Sequence, residues 1–410
     1  MAISASRYLL RPLGPSEQYF WLSNQNSSKH FVFAAQILGS ATDGAWSSAI
    51  AAAQLRHPLL RVSIECDRDG KPCFVEHPDH SIPVQIFAKG QVPRWEAQIA
   101  HEVSTPFPLS GSLLTRVSLL KSDAGCTLIL SMHHSIGDGL SAAFVIRDII
   151  QALSGVEIQP LKLTAPQEDL CQAPPSFAPT PSTQVYPPAA LLRRTVEGPS
   201  VQALKLSEDL TRKLRSRAHE ANATVHGALV AALAFAGRRL CLEWRVHPTR
   251  VVSPVNNRPR LGLEDECALA IVFPSDAYAP ETEDQLWDVA RAVRSDLAPV
   301  GTPSGLNTVY SGLRQLIAPS PSVAEIAAFE LQVCACEGMV SNLGVLPFET
   351  TFGMFKLEAL WGPSVFVGIE GEQMIGATTL NGALHLLHSS YTPITKLLNK
   401  MQDVLQSMAR

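Results

Sequence analysis

ILSMHHSIGDGLSAAFVIRDII, residues Ile129 to Ile150, sets two adjacent histidines at the end of one apolar run, then Asp138-Gly139, then a second apolar run. The first run, closing in Ser131-Met132, reads as a strand. The second, LSAAFVIRDIIQAL, repeats apolar residues at helical spacing, with Asp138 placed to cap it. His133 to Asp138 therefore form a strand-to-helix connection, where side chains are held by rigid elements yet open onto a crevice. Imidazole is the side chain whose ordinary pKa suits proton transfer near neutrality. Neighbours on an extended backbone point in opposite directions, so only one of His133 and His134 faces a given cleft and the other is built into the fold. Asp138 either orients an imidazole or binds a basic residue and fixes the loop. Gly139 removes a side chain where the backbone has to come close to something.

The flanking sequence is mixed in the same way. FVFAAQILG reads as a strand, and GAWSSAIAAAQLRHPLLRVSIE as a helix followed by a strand. GSLLTRVSLLKSDAGCTLILSM reads as two strands joined at an Asp-Ala-Gly turn. Further on, SEDLTRKLRSRAHEANATVHGALVAALAFAGRRL predicts two helices broken near Asn222-Ala223-Thr224. RVVSPVNNRPR predicts a strand running into a turn, and Glu330 to Tyr391 reads as strands and loops. Helices and strands mixed in both halves predict an α/β (α+β) protein of two layered domains.

The chain has 410 residues, beyond the size at which one core keeps growing, so two domains are expected. Nine of its 30 prolines fall from Pro160 to Pro199, which excludes helix and central strand there and marks an extended crossover. Phe177, Val185, Tyr186 and Leu191 within it predict that it hugs the surface. The division is then 1–160, a crossover at 161–199, and 200–410. An apolar fraction of 46% with 17% charged residues is that of a globular protein. A net charge of −4 with interspersed signs argues against a nucleic-acid binder. Eight irregularly spaced cysteines without a C-x-x-C pair read as reduced thiols and predict a cytoplasmic location. MAISASRYLLRPLGP lacks the apolar core of a signal peptide, and the longest apolar run, Ala228 to Ala236, is too short to span a bilayer.

Several chemistries fail on their motifs. No H-x-x-x-H, H-E-x-x-H or His-Cys cluster lies near the histidines, so no metal site is read there. G-x-S-x-G, P-loop and dinucleotide-binding glycine patterns are absent from the chain. His133-His134-Ser135-Ile136-Gly137-Asp138-Gly139, in contrast, resembles the HHxxxDG signature of a superfamily of acyl-transfer enzymes. This superfamily includes condensation domains of nonribosomal peptide synthetases, polyketide-associated acyltransferases and chloramphenicol acetyltransferase. RPLGPSEQYFWL (Arg11 to Leu22) resembles the opening of condensation-type proteins, and HEANATVHGALVAALAFA (His219 to Ala236) resembles the helix that begins their second lobe. VVSPVNNRPRLG (Val251 to Gly262) resembles their arginine-bearing strand, and VSNLG (Val340 to Gly344) a segment near their tunnel. The likeness spans essentially the whole chain.

The resemblance implies two chloramphenicol-acetyltransferase-like lobes in a V, with a central tunnel holding the HHxxxDG loop. It implies His134 as general base, with His133 turned into the fold. Asp138 is implied to pair with Arg258, chosen over Arg260, and Gly139 to open the tunnel floor. Ser341 or Asn342 is implied as a donor to the tetrahedral oxyanion. The expected reaction moves an acyl group directly from a thioester to a hydroxyl, giving an ester, with an amine acceptor or a silent binding module as alternatives. The donor is a coenzyme A ester or an acyl chain on a carrier protein; coenzyme A or phosphopantetheine enters as part of the substrate, and no separate cofactor is implied. Arg193-Arg194 and the run Arg212 to Arg217 are candidate docking faces for such a carrier. The DFGWG motif of plant acyltransferases and the C-terminal motifs of wax ester synthases are missing, which points away from both. With no carrier, adenylation or thioesterase segment, the chain reads as a stand-alone enzyme, and two lobes in one chain predict a monomer.

Overall fold

The computed structural model describes residues 8–88, 90–171, 189–192 and 198–410. Its centre is two six-stranded sheets set against each other. The first runs in the order Thr351–Phe352, Phe355–Ser364, His30–Leu38, Gly125–His133, Thr115–Lys121, Val84–Phe87. The predicted hairpin is here, with Lys121 opposite Cys126 and register continuing to Thr115 opposite Met132. FVFAAQILG supplies the neighbouring strand, where His30 pairs with His133. The strand Val62–Cys66 lies outside this sheet, with Tyr8–Pro12 and Pro72–Glu76 in a small sheet of three.

The second sheet runs Ser275–Tyr278, Thr249–Val252, Gly338–Val345, Gln373–Leu380, Ala383–Ser390, Ser200–Lys205. Gly338–Val345 lies parallel to both its neighbours and is therefore central. Helices Glu208–Glu220 and Val225–Leu240 follow as predicted, and Thr224 caps the second by accepting from the Gly227 N–H. The predicted strand-and-loop character from Glu330 onward fails at its start. Helix Val323–Val333, opened by a reciprocal Ser322–Glu325 cap, carries Glu330 on its last turn.

The two sheets are interlocked. Phe355–Ser364 comes from the second half of the sequence but hydrogen-bonds to His30–Leu38 of the first. At Gly376 of the second sheet, an added Cβ would lie 2.3 Å from the Pro363 carbonyl oxygen and 2.5 Å from the Gly362 carbonyl carbon. No residue larger than glycine permits that approach. The Thr378 hydroxyl then donates to the Leu360 carbonyl across the same seam.

Against the first sheet lies the helix Gly139–Leu153, buried without interruption from Ser141 to Ile150. Its apolar side packs with Phe33, Trp46 and Leu128 into the larger core, to which Val252, Cys267 and Met339 of the second half also belong. Its polar side, Arg147 and Asp148, is covered as well. Arg147 Nη2 reaches Asp265 at 2.7 Å, and Asp148 binds Arg56 at 2.7 Å and His57 at 2.9 Å. Of the proline-rich stretch, Gln167 and Glu168 are buried beneath the first helix, Pro15–Asn26, where Glu168 accepts from the Ser16 N–H at 2.8 Å. Leu191 forms a bridge with Ile369. Phe177, Val185, Tyr186, Arg193 and Arg194 lie outside the described residues.

Candidate active site

The motif strand ends on two histidines that diverge as alternation requires. His133 turns inward: its Nδ1 accepts the Ser135 N–H at 3.0 Å, and its ring meets Phe107 edge-on. Burial, then the neighbouring His30 and His134, pushes its pKa down to about 3. His134 turns the other way, into a cavity of about 490 Å³ between the sheets. Its ring stacks on Phe20 of the first helix, with centroids 4.6 Å apart, and leans on Phe31 at 4.5 Å. The backbone holds it there, since its N–H donates to the Lys29 carbonyl at 3.2 Å and the Ser135 hydroxyl donates to the Glu17 carbonyl at 2.8 Å.

The His134 Nδ1 lies 3.1 Å from the Gly137 carbonyl oxygen. A carbonyl only accepts, so Nδ1 carries the proton and Nε2 carries the lone pair. Burial pushes the His134 pKa down to about 4, with the Lys29 charge acting in the same direction. The imidazole is therefore neutral at pH 7, with the Nε2 lone pair unprotonated.

Asp138 has no hydrogen bond to either histidine among the described residues. It caps the motif helix by accepting the Ser141 N–H at 2.9 Å. Its carboxylate meets Arg258 Nη2 at 2.9 Å, 120 residues away in sequence, and accepts the Ala270 N–H at 3.0 Å. Burial works against the charged form of Asp138; the Arg258 guanidinium and these N–H donors outweigh it and hold the carboxyl below its usual range. Arg258 also donates to Ser141 Oγ at 2.7 Å and to the carbonyls of Ala268 and Glu266. Arg260 points elsewhere, with Nε on the Gly301 carbonyl at 3.2 Å.

Gly139 lies at the cavity floor, where a Cβ would stand 3.1 Å from Leu343 Cδ1. Ser341, Asn342 and Leu343 line the same cavity from the central strand of the second sheet. The Asn342 side-chain oxygen accepts the Gly344 N–H at 3.0 Å, which leaves its NH₂ as a donor. The structure thus brings His134, Asp138, Gly139, Ser341 and Asn342 to one cavity, sets Arg258 behind it and places His133 outside its lining.

Other lining residues carried no sequence signal as site residues. Phe20 and Phe31 sandwich the imidazole, yet both look like core aromatics in the sequence. Lys29 and Glu330 form a buried ion pair at 3.0 Å in the cavity wall, and the Tyr19 hydroxyl donates to the same Glu330 oxygen at 3.1 Å. Burial, with Cys334 and Glu330 beside it, pushes the Tyr19 phenol well above its ordinary pKa, so it remains a donor. The remaining walls are mostly apolar, from Val252, Phe273, Leu313, Phe329 and Val365. Such a cavity excludes water around one neutral imidazole and leaves room for a substrate of moderate size.

Comparison with known proteins matches this architecture. Residues 12–165 match the condensation domain family, and residues 195–299 match the C-terminus of phthiocerol/phthiodiolone dimycocerosyl transferase. Tyrocidine synthase 3 of Brevibacillus parabrevis is 32% identical over 120 residues, covering 29% of this chain; the matched part is 2% of that synthase's length. Polyketide synthase associated protein 5 from Mycobacterium tuberculosis superposes with a TM-score of 0.65 at 18% identity, covering 98% of this chain and 99% of that one. Trichothecene 15-O-acetyltransferase from Fusarium sporotrichioides gives a TM-score of 0.65 at 14% identity, covering 100% and 96%. The fold is the two-lobed condensation and acyltransferase fold. The two matched segments, in successive parts of the chain, support a condensation-like acyltransferase superfamily.

Proposed function

We propose that the protein transfers an acyl group from a thioester to an acceptor hydroxyl, forming an ester, with His134 as the general base. The observation that carries this is the His134 ring, held by the Gly137 carbonyl so that Nε2 is the unprotonated nitrogen, inside an apolar cavity between the two sheets. As the acceptor oxygen attacks the thioester carbonyl, Nε2 takes its proton and the thiolate leaves. A strongly depressed pKa keeps the imidazole unprotonated and lowers its basicity, so positioning and oxyanion stabilisation carry most of the rate. Ser341 Oγ and the Asn342 NH₂ are the proposed donors to the oxyanion. Asp138 and Arg258 are assigned a bracing role, and Gly139 the opening of the floor.

The match to a dimycocerosyl transferase and the structural likeness to a 15-O-acetyltransferase support an ester product. The match to a peptide synthase supports an amine acceptor as the second reading. We take the donor to be a coenzyme A ester or a carrier-bound acyl chain. All eight cysteines are free thiols and five are buried, in keeping with a reducing cytoplasm. No helix among the described residues is long and apolar enough to cross a membrane.

Mass spectrometry of products from a panel of acyl thioesters, each offered with alcohols and amines, tests the reading. Ester formation is expected, with loss of turnover by roughly 10²–10⁴-fold in His134→Ala at unchanged melting temperature. Wild-type rates in that variant would remove His134 as the base. Amides in place of esters would select the second reading.

A further inference from the structure

Taking a proton turns His134 into a cation inside a mostly apolar cavity, and burial opposes that charge. The charged groups nearby are already paired: Asp138 with Arg258 at 2.9 Å, and Lys29 with Glu330 at 3.0 Å. Tyr19 and Cys334 in the cavity lining, His133 beside it in sequence and Cys267 on the Ile136 carbonyl are neutral at pH 7. What lies against the imidazole is aromatic. The Phe20 ring stacks on it at 4.6 Å between centroids, with the planes 21° apart. The Phe31 ring lies tilted by 47° at 4.5 Å. Phe20 is fixed in turn by Tyr19 at 5.4 Å and Phe273 at 5.7 Å. The face of such a ring carries negative potential and attracts a cation within about 6 Å of its centroid, more strongly where water is excluded.

We infer that Phe20 is a positioning residue of the proposed reaction: its π face stabilises the imidazolium that His134 becomes on taking the acceptor's proton. Nε2 gains that proton as the acceptor oxygen bonds to the thioester carbonyl carbon. The C–S bond then breaks, the proton passes to the departing sulfur, and the imidazole is neutral again. A neutral imidazole gains little from the same face, so the contact favours the transition state over the ground state. The inference rests on the reading of His134 as general base.

The test changes the electron density of the ring with little change of its shape. The full chain is made with 4-fluoro-, 3,5-difluoro- or pentafluorophenylalanine at position 20, alongside Phe20→Leu. In acyl transfer, kcat is expected to fall stepwise with fluorination, by about twofold to tenfold at the pentafluoro ring, with KM unchanged. NMR titration of His134 supplies a readout that needs no turnover. The onset of its protonation is expected to move to lower pH in the same order, by up to about one unit. Phe20→Leu is expected to lose at least as much as the pentafluoro ring; should it fail to fold, the fluorinated rings decide. Equal kcat and equal titration across those rings, with a loss only in Phe20→Leu, would reduce Phe20 to packing and overturn the inference. A titration that shifts while kcat stays level would also overturn it, since the imidazolium then has no part in the rate. Ordered titration shifts without any acyl transfer would overturn the proposed reaction and leave the effect of Phe20 on His134 standing.

Discussion

His134 and Asp138 stand four residues apart and do different work. The tautomer of His134 is set by a backbone carbonyl, so no carboxylate is needed to orient it. Its pKa of about 4 predicts a pH–rate profile that stays flat across neutrality and falls only as pH drops toward that value, where the proposed base becomes protonated. A fall already complete at pH 6 would place the titrating group elsewhere. Asp138 is bound to Arg258 with both side chains buried. Removing one member leaves a buried charge alone, so Asp138→Asn or Arg258→Ala is expected to cost roughly 3–5 kcal/mol in denaturant unfolding. The double change Asp138→Asn/Arg258→Met should recover part of that. Equal losses in single and double variants would mean that the helix cap matters more than the ion pair.

Among the elements, the motif strand and helix were readable in advance because each signal is local: an apolar run, a capping residue, a helical period. The divergence of the two histidines followed from strand alternation. The Glu330 helix was missed because its periodicity lies upstream, in residues 323–329, and Glu330 is only its last turn. The burial of Arg147 and Asp148 was also hidden. Arg56, His57 and Asp265, which cover these charges, come from other segments of the chain. Two glycines show how tightly the elements meet. Gly376→Ala drives a Cβ into backbone atoms of Gly362 and Pro363, which cannot swing aside. A loss of about 1–3 kcal/mol is expected, read as a lower melting temperature. Gly139→Ala presses only on the movable tip of the Leu343 side chain, with Phe33 at ordinary contact distance, and should melt close to wild type. A reversed order would contradict the packing of the seam.

For the whole molecule, buried neutral histidines tie stability to pH. His133, His134 and His388 are held at about 3, 4 and 4, with burial as the leading cause in each. The unfolded chain takes up protons at these positions as pH falls through about 6.5, whereas the folded chain resists until near pH 4. Their stabilising contribution is complete above about pH 6.5 and is withdrawn on acidification, by up to about 1.4 kcal/mol per pH unit for each histidine. Urea unfolding at pH 5 should therefore give a clearly lower stability than at pH 7; equal values would show that these rings are hydrated in the folded state.

What the sequence determined by itself was what depends on neighbours along the chain: the strand–loop–helix around His134, the cap by Asp138, the break before Thr224. The motif's resemblance added a superfamily and a partner for Asp138. Only the tertiary structure decided the cavity. Phe20, Lys29, Glu330 and Asn342 come from separate segments, and their proximity is set by how two interlocked sheets pack. It also decided that residues 355–364 complete a sheet begun by residues 30–38, since strand pairing at that distance is selected by the packing of the whole core rather than by either strand alone.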